Sequence, residues 1–215
     1  MAHPELPPGE KWRQYELKGL GLRAFAGVPA DEALNPFKLA RFANLLVVDI
    51  DQLKDLSTGS REHLLGSASE QWSGGACSRP LPDGRRIVIL NPNHGPWRTN
   101  ATLMEEICHV FLGHQPNRLS VIADVGNGKT LARDYRKLDE EAAYAIGAAA
   151  LAPFAPLRRL VLAGKSSTEV ARHFRVSRDL IEYRLKVTHL WRIYKAAHPE
   201  ARRAIGVSQN RFPAS

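Results

Sequence analysis

The chain has little of what would place it quickly in several common classes. Its 215 residues include only two cysteines, Cys77 and Cys108, far apart and in no C-x-x-C pair. That excludes a disulfide-built scaffold and a cysteine-rich zinc module. No apolar run approaches the roughly 20 residues that span a bilayer, and the opening MAHPELPPGEKW has no signal-peptide core. A cytoplasmic protein without a membrane partner is therefore expected. Internal repeats and long low-complexity tracts are lacking too, which argues against solenoids and extended linkers. Acidic residues are in the minority: 22 Asp and Glu face 30 Lys and Arg, giving a net charge of +8 and a pI near 9.8. Such a balance favours contact with polyanions, nucleic acid above all, without demonstrating it.

Hydrophobic residues make up 44% of the chain, enough for a real core in one compact domain or a domain with a small appendage. Residues 1–10 read as a loose tail. A helix is expected over 11–26, although Gly19 and Gly21 weaken it, and Asn35 is placed to cap a short helix running to Phe42. The β-branched run Leu45 to Ile50 predicts a strand, as do Ser69 to Ser78 and Arg85 to Leu90, the last two joined by the turn RPLPDG. Asn91-Pro92 and Gly95-Pro96 then break the chain. Asn100 is placed to cap the helix ATLMEEICHVFL, which ends at Gly113. Residues 115–138 look extended around a turn at Gly126-Asn127-Gly128. Helices are expected over 139–151, before Gly164, over 168–174, and from Ser177 to about Ala197.

Chemistry concentrates on the central helix. Glu105 and His109 are four residues apart, so a helix puts them on one face, where two side chains can grip one metal ion. Glu106 follows the first ligand position and can point at a water on the metal. This is the logic of H-E-x-x-H, in which the Glu is the general base; here the segment reads EEICH. A catalytic site needs a third protein ligand and an open position, and Glu140 or Glu141, opening the next strong helix, can supply that ligand. The competing reading is a solvated acidic face with an unrelated histidine.

The surrounding sequence bears on that choice. WSGGACSRPLPDGRRIVILNPNHGPWRTNATLMEEICHVFLGH resembles the hairpin, loop and active-site helix of the ImmA/IrrE metallopeptidase family. LDEEAAYAIGAAALAPFAPLRRL resembles the segment that family writes as E-x-x-A-N-x-F-A followed by Pro. The resemblance covers roughly Leu45 to Tyr194. It implies an α+β fold, with a small, mainly antiparallel sheet packed on the metal-binding helix and a helical C-terminal region. It implies metal ligands at Glu105, His109 and Glu140, with Glu141 as the alternative if the register slips by one, and a general base at Glu106. It also implies a metallo-endopeptidase whose substrate is a helix-turn-helix repressor, cut in a stress or mobile-element defence response. The organisation expected is a tail over 1–10, the metallopeptidase-like domain over 11–163, a helix-turn-helix-like region over 164–200, and a tail over 201–215.

Glu105 in place of the first His departs from the family pattern. Two carboxylates and an imidazole nearly neutralise a divalent ion, which lowers its Lewis acidity. Harder oxygen ligands also bring manganese or magnesium into competition with zinc, the ion expected first. The alternative to the enzyme is thus a non-catalytic regulator that keeps the fold and acts by binding DNA or a protein.

Cys108 lies off the Glu105–His109 face and reads as a core thiol. Cys77 lies on a strand resembling the one that borders the family's cleft. It is either an ordinary cysteine or a thiolate that reaches the metal and holds the enzyme latent. His114 reads as a helix-end cap or as a group behind the metal ligands. ADVGNGKT lacks the first Gly of a phosphate loop and reads as a hairpin. TEVARHFRVSRDLIEYRLKV resembles a helix-turn-helix, with Ala171 at the inter-helix contact and Ser177 capping the second helix. On that reading Arg172, Arg175, Arg178 and Arg184 would face DNA. Otherwise the pair simply packs on the rest of the domain.

Overall fold

The computed structural model describes residues 4–50, 53, 56–76, 80–114 and 137–199. The expected hairpin around Gly126 to Gly128, Cys77 and the 201–215 tail lie outside the described residues. The fold is α+β: a small sheet with helices packed around it. Helices α1 (Glu10–Phe25) and α2 (Pro36–Phe42) lead into β1 (Leu45–Val48). Helix α3 (Thr58–Leu65) and a short 3-10 turn precede β2 (Gly74–Ala76) and β3 (Arg86–Leu90). Then follow α4 (Pro96–Phe111), α5 (Lys137–Leu151), α6 (Phe154–Leu162), α7 (Ser167–Phe174), α8 (Arg178–Val187) and α9 (Trp191–Ala197). Asn35 caps α2 as expected, its side chain accepting the Phe37 N–H.

The sheet order is β1-β3-β2. β2 runs antiparallel to β3, with Gly75 opposite Ile89, and β1 runs parallel to β3, with Val47 opposite Val88. The sheet is therefore mixed. The parallel pairing needs a long crossover between its strands, which is where α3 sits. No element was expected from sequence over 51–68; the one signal for α3 is Ser57, whose hydroxyl accepts the Ser60 N–H at 3.1 Å. The strand expected over 69–78 is shorter. Ser69–Gln71 instead forms the 3-10 turn, held by buried Asn91, whose amide donates to Ser69 O at 2.6 Å and Trp72 O at 2.9 Å.

Helix α5 is the centre of the molecule. Its run of Ala145, Ile146, Gly147, Ala148, Ala149, Ala150 and Leu151 is buried throughout, and small side chains let neighbours approach from both sides. On one side, a Cβ on Gly19 of α1 would lie 2.8 Å from Ala150 N and 2.9 Å from Ala149 Cβ. The glycine that weakens α1 as an isolated helix is what lets it dock. On the other side α4 packs antiparallel, with Met104 opposite Gly147 and His109 opposite Glu140. No single helix among the described residues is long and apolar enough to cross a membrane. Taken together α5 and α6 would pass by length and composition, but they are bent by 59° and α5 is core.

Two helix boundaries differ from expectation. Helix α4 begins at Pro96 with Gly95 as its cap, so Asn100 lies within the helix and donates instead to Arg175 O at 3.2 Å. The helix expected from Ser177 to Ala197 breaks into α8 and α9 at His189, which has φ 62. At the C-terminal end of α8, the capping residue Thr188 donates its Oγ1–H back to Arg184 O at 2.6 Å, a pattern that loosens a helix end.

Candidate metal centre

Helix α4 is amphipathic, and its pattern divides it. Thr102, Leu103, Met104, Ile107 and Cys108 are buried, while Glu105, Glu106 and His109 are half-buried. Cys108 is a fully buried free thiol whose pKa burial pushes up, a core residue as expected. On α5, Asp139 and Glu140 occupy the first turn, where the helix dipole favours carboxylates.

The two helices bring Glu105, His109 and Glu140 together: one ligand atom from each lies within 4.8 Å of the others. His109 Nε2 is 3.1 Å from Glu140 Oε1. That oxygen is buried and has no hydrogen-bond partner, so the contact is close without the direction of a hydrogen bond. A buried carboxylate oxygen left in that condition is costly unless something else satisfies it. Zinc bonds of about 2.0–2.2 Å in tetrahedral geometry space their ligand atoms roughly 3.3–3.6 Å apart. The His109–Glu140 pair is already near that spacing, and Glu105 offers an oxygen within 4.8 Å of both.

Charge points the same way. Burial alone would pull the His109 pKa down, but Glu140 beside it, with Glu106 and Glu105 behind, raises it above the ordinary value. Three carboxylates around one imidazole make a locally negative site in a strongly basic protein. The donor set and the orphaned oxygen both fit a divalent cation.

The alternative third residue is turned elsewhere. Glu141 forms an ion pair with Lys11 of α1 on the surface, with side chains 39% and 47% exposed. One step along a helix is a rotation of about 100°, and that step separates the two glutamates.

Two further groups lie near the site: Tyr144, which carries no sequence signature, and His114, which the sequence left with two readings. Tyr144, one turn beyond Glu140, feels the Glu105 charge; burial, Glu105 and Tyr183 together raise its pKa, so the phenol stays protonated. Its ring meets Tyr183 of α8 edge-on at 4.8 Å. His114 Nδ1 lies 3.1 Å from His109 Nδ1. Of the two readings of His114 from sequence, this contact places it directly behind the candidate ligand.

The four arginines proposed to face DNA separate. Arg172, Arg175 and Arg178 are exposed. Arg184 is buried, 2% exposed at its side chain, and pairs with Glu16 of α1, itself 1% exposed. It also donates to Ala152 O at 3.0 Å. This corrects the sequence expectation: Arg184 contacts protein, not nucleic acid, because α8 lays that face on the core with Leu180, Ile181 and Leu185. Helices α7 and α8 do form a tight pair. Arg175 takes the left-handed turn position at φ 56, and the Ser177 hydroxyl caps α8 by accepting the Leu180 N–H at 3.1 Å. The exposed N-terminal end of α8 is mixed in sign, since Arg178 is engaged by Glu182 at 2.6 Å and Asp179 follows it.

An α+β domain with a Glu–His–Glu cluster between its two central helices has the layout of a metallopeptidase-like protein. The IrrE N-terminal-like domain matches residues 68–186, more than half of the 215. The chain belongs to that metallopeptidase-like family. No curated protein matches it.

Proposed function

We propose that the protein is a metal-dependent endopeptidase with Glu105, His109 and Glu140 as metal ligands and Glu106 as general base. The observation that carries this is the convergence of the three donor side chains around an unsatisfied buried oxygen, in a chain of this family. Zinc suits the imidazole and the low coordination number; manganese or magnesium compete because two of three donors are carboxylates. A divalent ion held there would supply Lewis acidity to the scissile carbonyl and to water.

The chain's own residues do the rest. Glu106, beside the cluster on α4, takes a proton from the attacking water on its carboxylate and passes it to the departing amine. Glu105 and Glu140 would hold the ion together with His109 and lower its net charge. The substrate proposed, from the family resemblance, is a helix-turn-helix repressor, cut during a stress or mobile-element defence response.

A second reading is a non-catalytic regulator of the same fold, acting on DNA or a protein partner. It is favoured by Glu105, which makes the site more anionic than a two-histidine centre, and by exposed Arg172 and Arg175 on the α7–α8 unit. The two readings separate in one experiment: cleavage of a repressor encoded beside this gene, by wild type and Glu106→Gln, with metal content measured in both. The peptidase reading expects equal metal and a fall in cleavage of at least ~10²-fold. Equal cleavage by the two removes Glu106 from the mechanism. No cleavage by metal-loaded wild type under inducing conditions favours the regulator.

A further inference from the structure

Behind His109 the chain turns back on itself. Helix α4 ends at Phe111 and Gly113 takes φ 69, so the His114 N–H bonds to His109 O at 2.9 Å. The two imidazoles then meet edge-on, centroids 5.1 Å apart, with side chains only 15% and 14% exposed. On the far side of His114, its Nε2 lies 3.6 Å from Asp139 Oδ1, the residue before Glu140.

Two Nδ1 atoms at 3.1 Å can share only one proton. Two lone pairs repel, and two N–H groups collide. If the proton belongs to His114, then His109 Nδ1 is the acceptor and a neutral His109 ring carries its proton on Nε2, where it blocks a metal. If it belongs to His109, the Nε2 lone pair is open towards Glu140 and Glu105. Asp139 Oδ1, 3.6 Å from the other ring nitrogen of His114, makes a charge contact longer than a hydrogen bond, so the His114 ring lies between Asp139 of α5 and His109 of α4 with its Nδ1 against His109 Nδ1.

We infer that His114 and Asp139 are positioning residues of the metal centre, with Asp139 orienting His114 so that His114 accepts the Nδ1–H of His109 and keeps His109 Nε2 aimed at the ion. This rests on the metal-centre reading above and assigns it an outer layer drawn from the ends of both helices. Partners of this kind fix the tautomer and ring orientation of a ligating histidine, and their removal typically lowers metal affinity about 10–100-fold.

The test is metal affinity, measured by chelator competition with Zn²⁺ on the full chain, alongside thermal unfolding of the metal-free protein. His114→Leu removes the acceptor and is expected to weaken zinc binding about 10–100-fold. His114→Asn keeps an acceptor oxygen close to the position of Nδ1 and is expected to recover most of the loss; a purely space-filling role would not produce that rescue. Asp139→Asn is expected to weaken binding in the same direction but less, because the 3.6 Å contact is the weaker link. Should His114→Leu unfold, the Asn and Asp139 variants decide the matter. Wild-type affinity in His114→Leu, or no rescue by Asn in a folded protein, overturns this inference alone. Failure of wild type to bind zinc, manganese or cobalt overturns the metal-centre reading and this inference with it.

Discussion

Replacing Glu140 and Glu141 one at a time with glutamine tests the centre at its sharpest point, since the two residues are adjacent in sequence and opposite in role. Glu141 pairs with Lys11 where both side chains are more than a third exposed. A surface pair of that kind contributes about 0–1 kcal/mol, so Glu141→Gln is expected to move stability by less than that and leave metal binding unchanged. Glu140 has a buried oxygen without a hydrogen bond, 3.1 Å from His109. Structural zinc sites bind with about 10–16 kcal/mol, which shared over their four protein ligands gives roughly 2.5–4 kcal/mol each. At about 1.4 kcal/mol per factor of ten, Glu140→Gln is expected to lose on the order of 10²–10³-fold in affinity. Chelator competition with zinc and with manganese, on both variants and wild type, measures it. Unchanged affinity in Glu140→Gln, or a comparable loss in Glu141→Gln, refutes the assignment of Glu140 and the reasoning from the orphaned oxygen.

Gly19→Ala should destabilise the protein by about 1–3 kcal/mol in urea unfolding, the scale of overpacking, despite a helix-propensity gain of about 1 kcal/mol; a more stable variant would mean that α1 and α5 are not in contact at that point. Glu169 closes the capping box of α7, and hydrogen bonds from the Ser166 backbone, Lys165 and the Ser166 hydroxyl lower its pKa from 4.5 to about 2. Its stabilising contribution is therefore present above pH 4.5 and lost as pH falls towards 2; unfolding of wild type and Glu169→Gln should converge over that window, and a gap independent of pH would contradict the assignment. Short duplex DNA should bind weakly and without sequence preference through Arg172 and Arg175, with affinity falling steeply as salt rises. Fluorescence anisotropy at low salt checks this, and a Arg172→Glu/Arg175→Glu double variant that binds as well as wild type would remove the surface from consideration.

Local signals made α4 legible: its apolar spacing, the four-residue separation of Glu105 and His109, and Gly113 as a stop. The pairing of α4 with the start of α5 was legible through the family resemblance. The choice between Glu140 and Glu141 was not, because it depends on how α5 is rotated against α4 and α1, and that rotation is set by packing at Gly19, Met104 and Gly147. Asn100 misled as a cap because Gly95-Pro96 was read as a break, whereas proline is well suited to the first position of a helix. Arg184 looked like a surface residue in a basic stretch because its partner, Glu16, lies 168 positions away. The role of His114 was half visible: its spacing from His109 suggested proximity, but only the turn at Gly113 folds the two rings together.

The Glu16–Arg184 pair has a consequence for how the chain is made. Glu16 also accepts the Phe154 N–H at 2.6 Å, so one buried carboxylate holds the α5–α6 junction and α8 to the first helix. Without α8, that carboxylate loses its cation while still surrounded by core, a defect of about 3–5 kcal/mol. A ribosome adding about 5–20 residues per second needs roughly ten to thirty seconds to cover the 168 positions between the partners. Helix α1 therefore waits through the synthesis of those 168 positions for its counter-charge, and the domain is complete only once α8 has been made. Helices α7 to α9 are consequently no detachable cassette. A chain cut before α8 is not a smaller version of the protein but an unfinished one, and exchange of this region between relatives would have to carry its partner on α1 along with it.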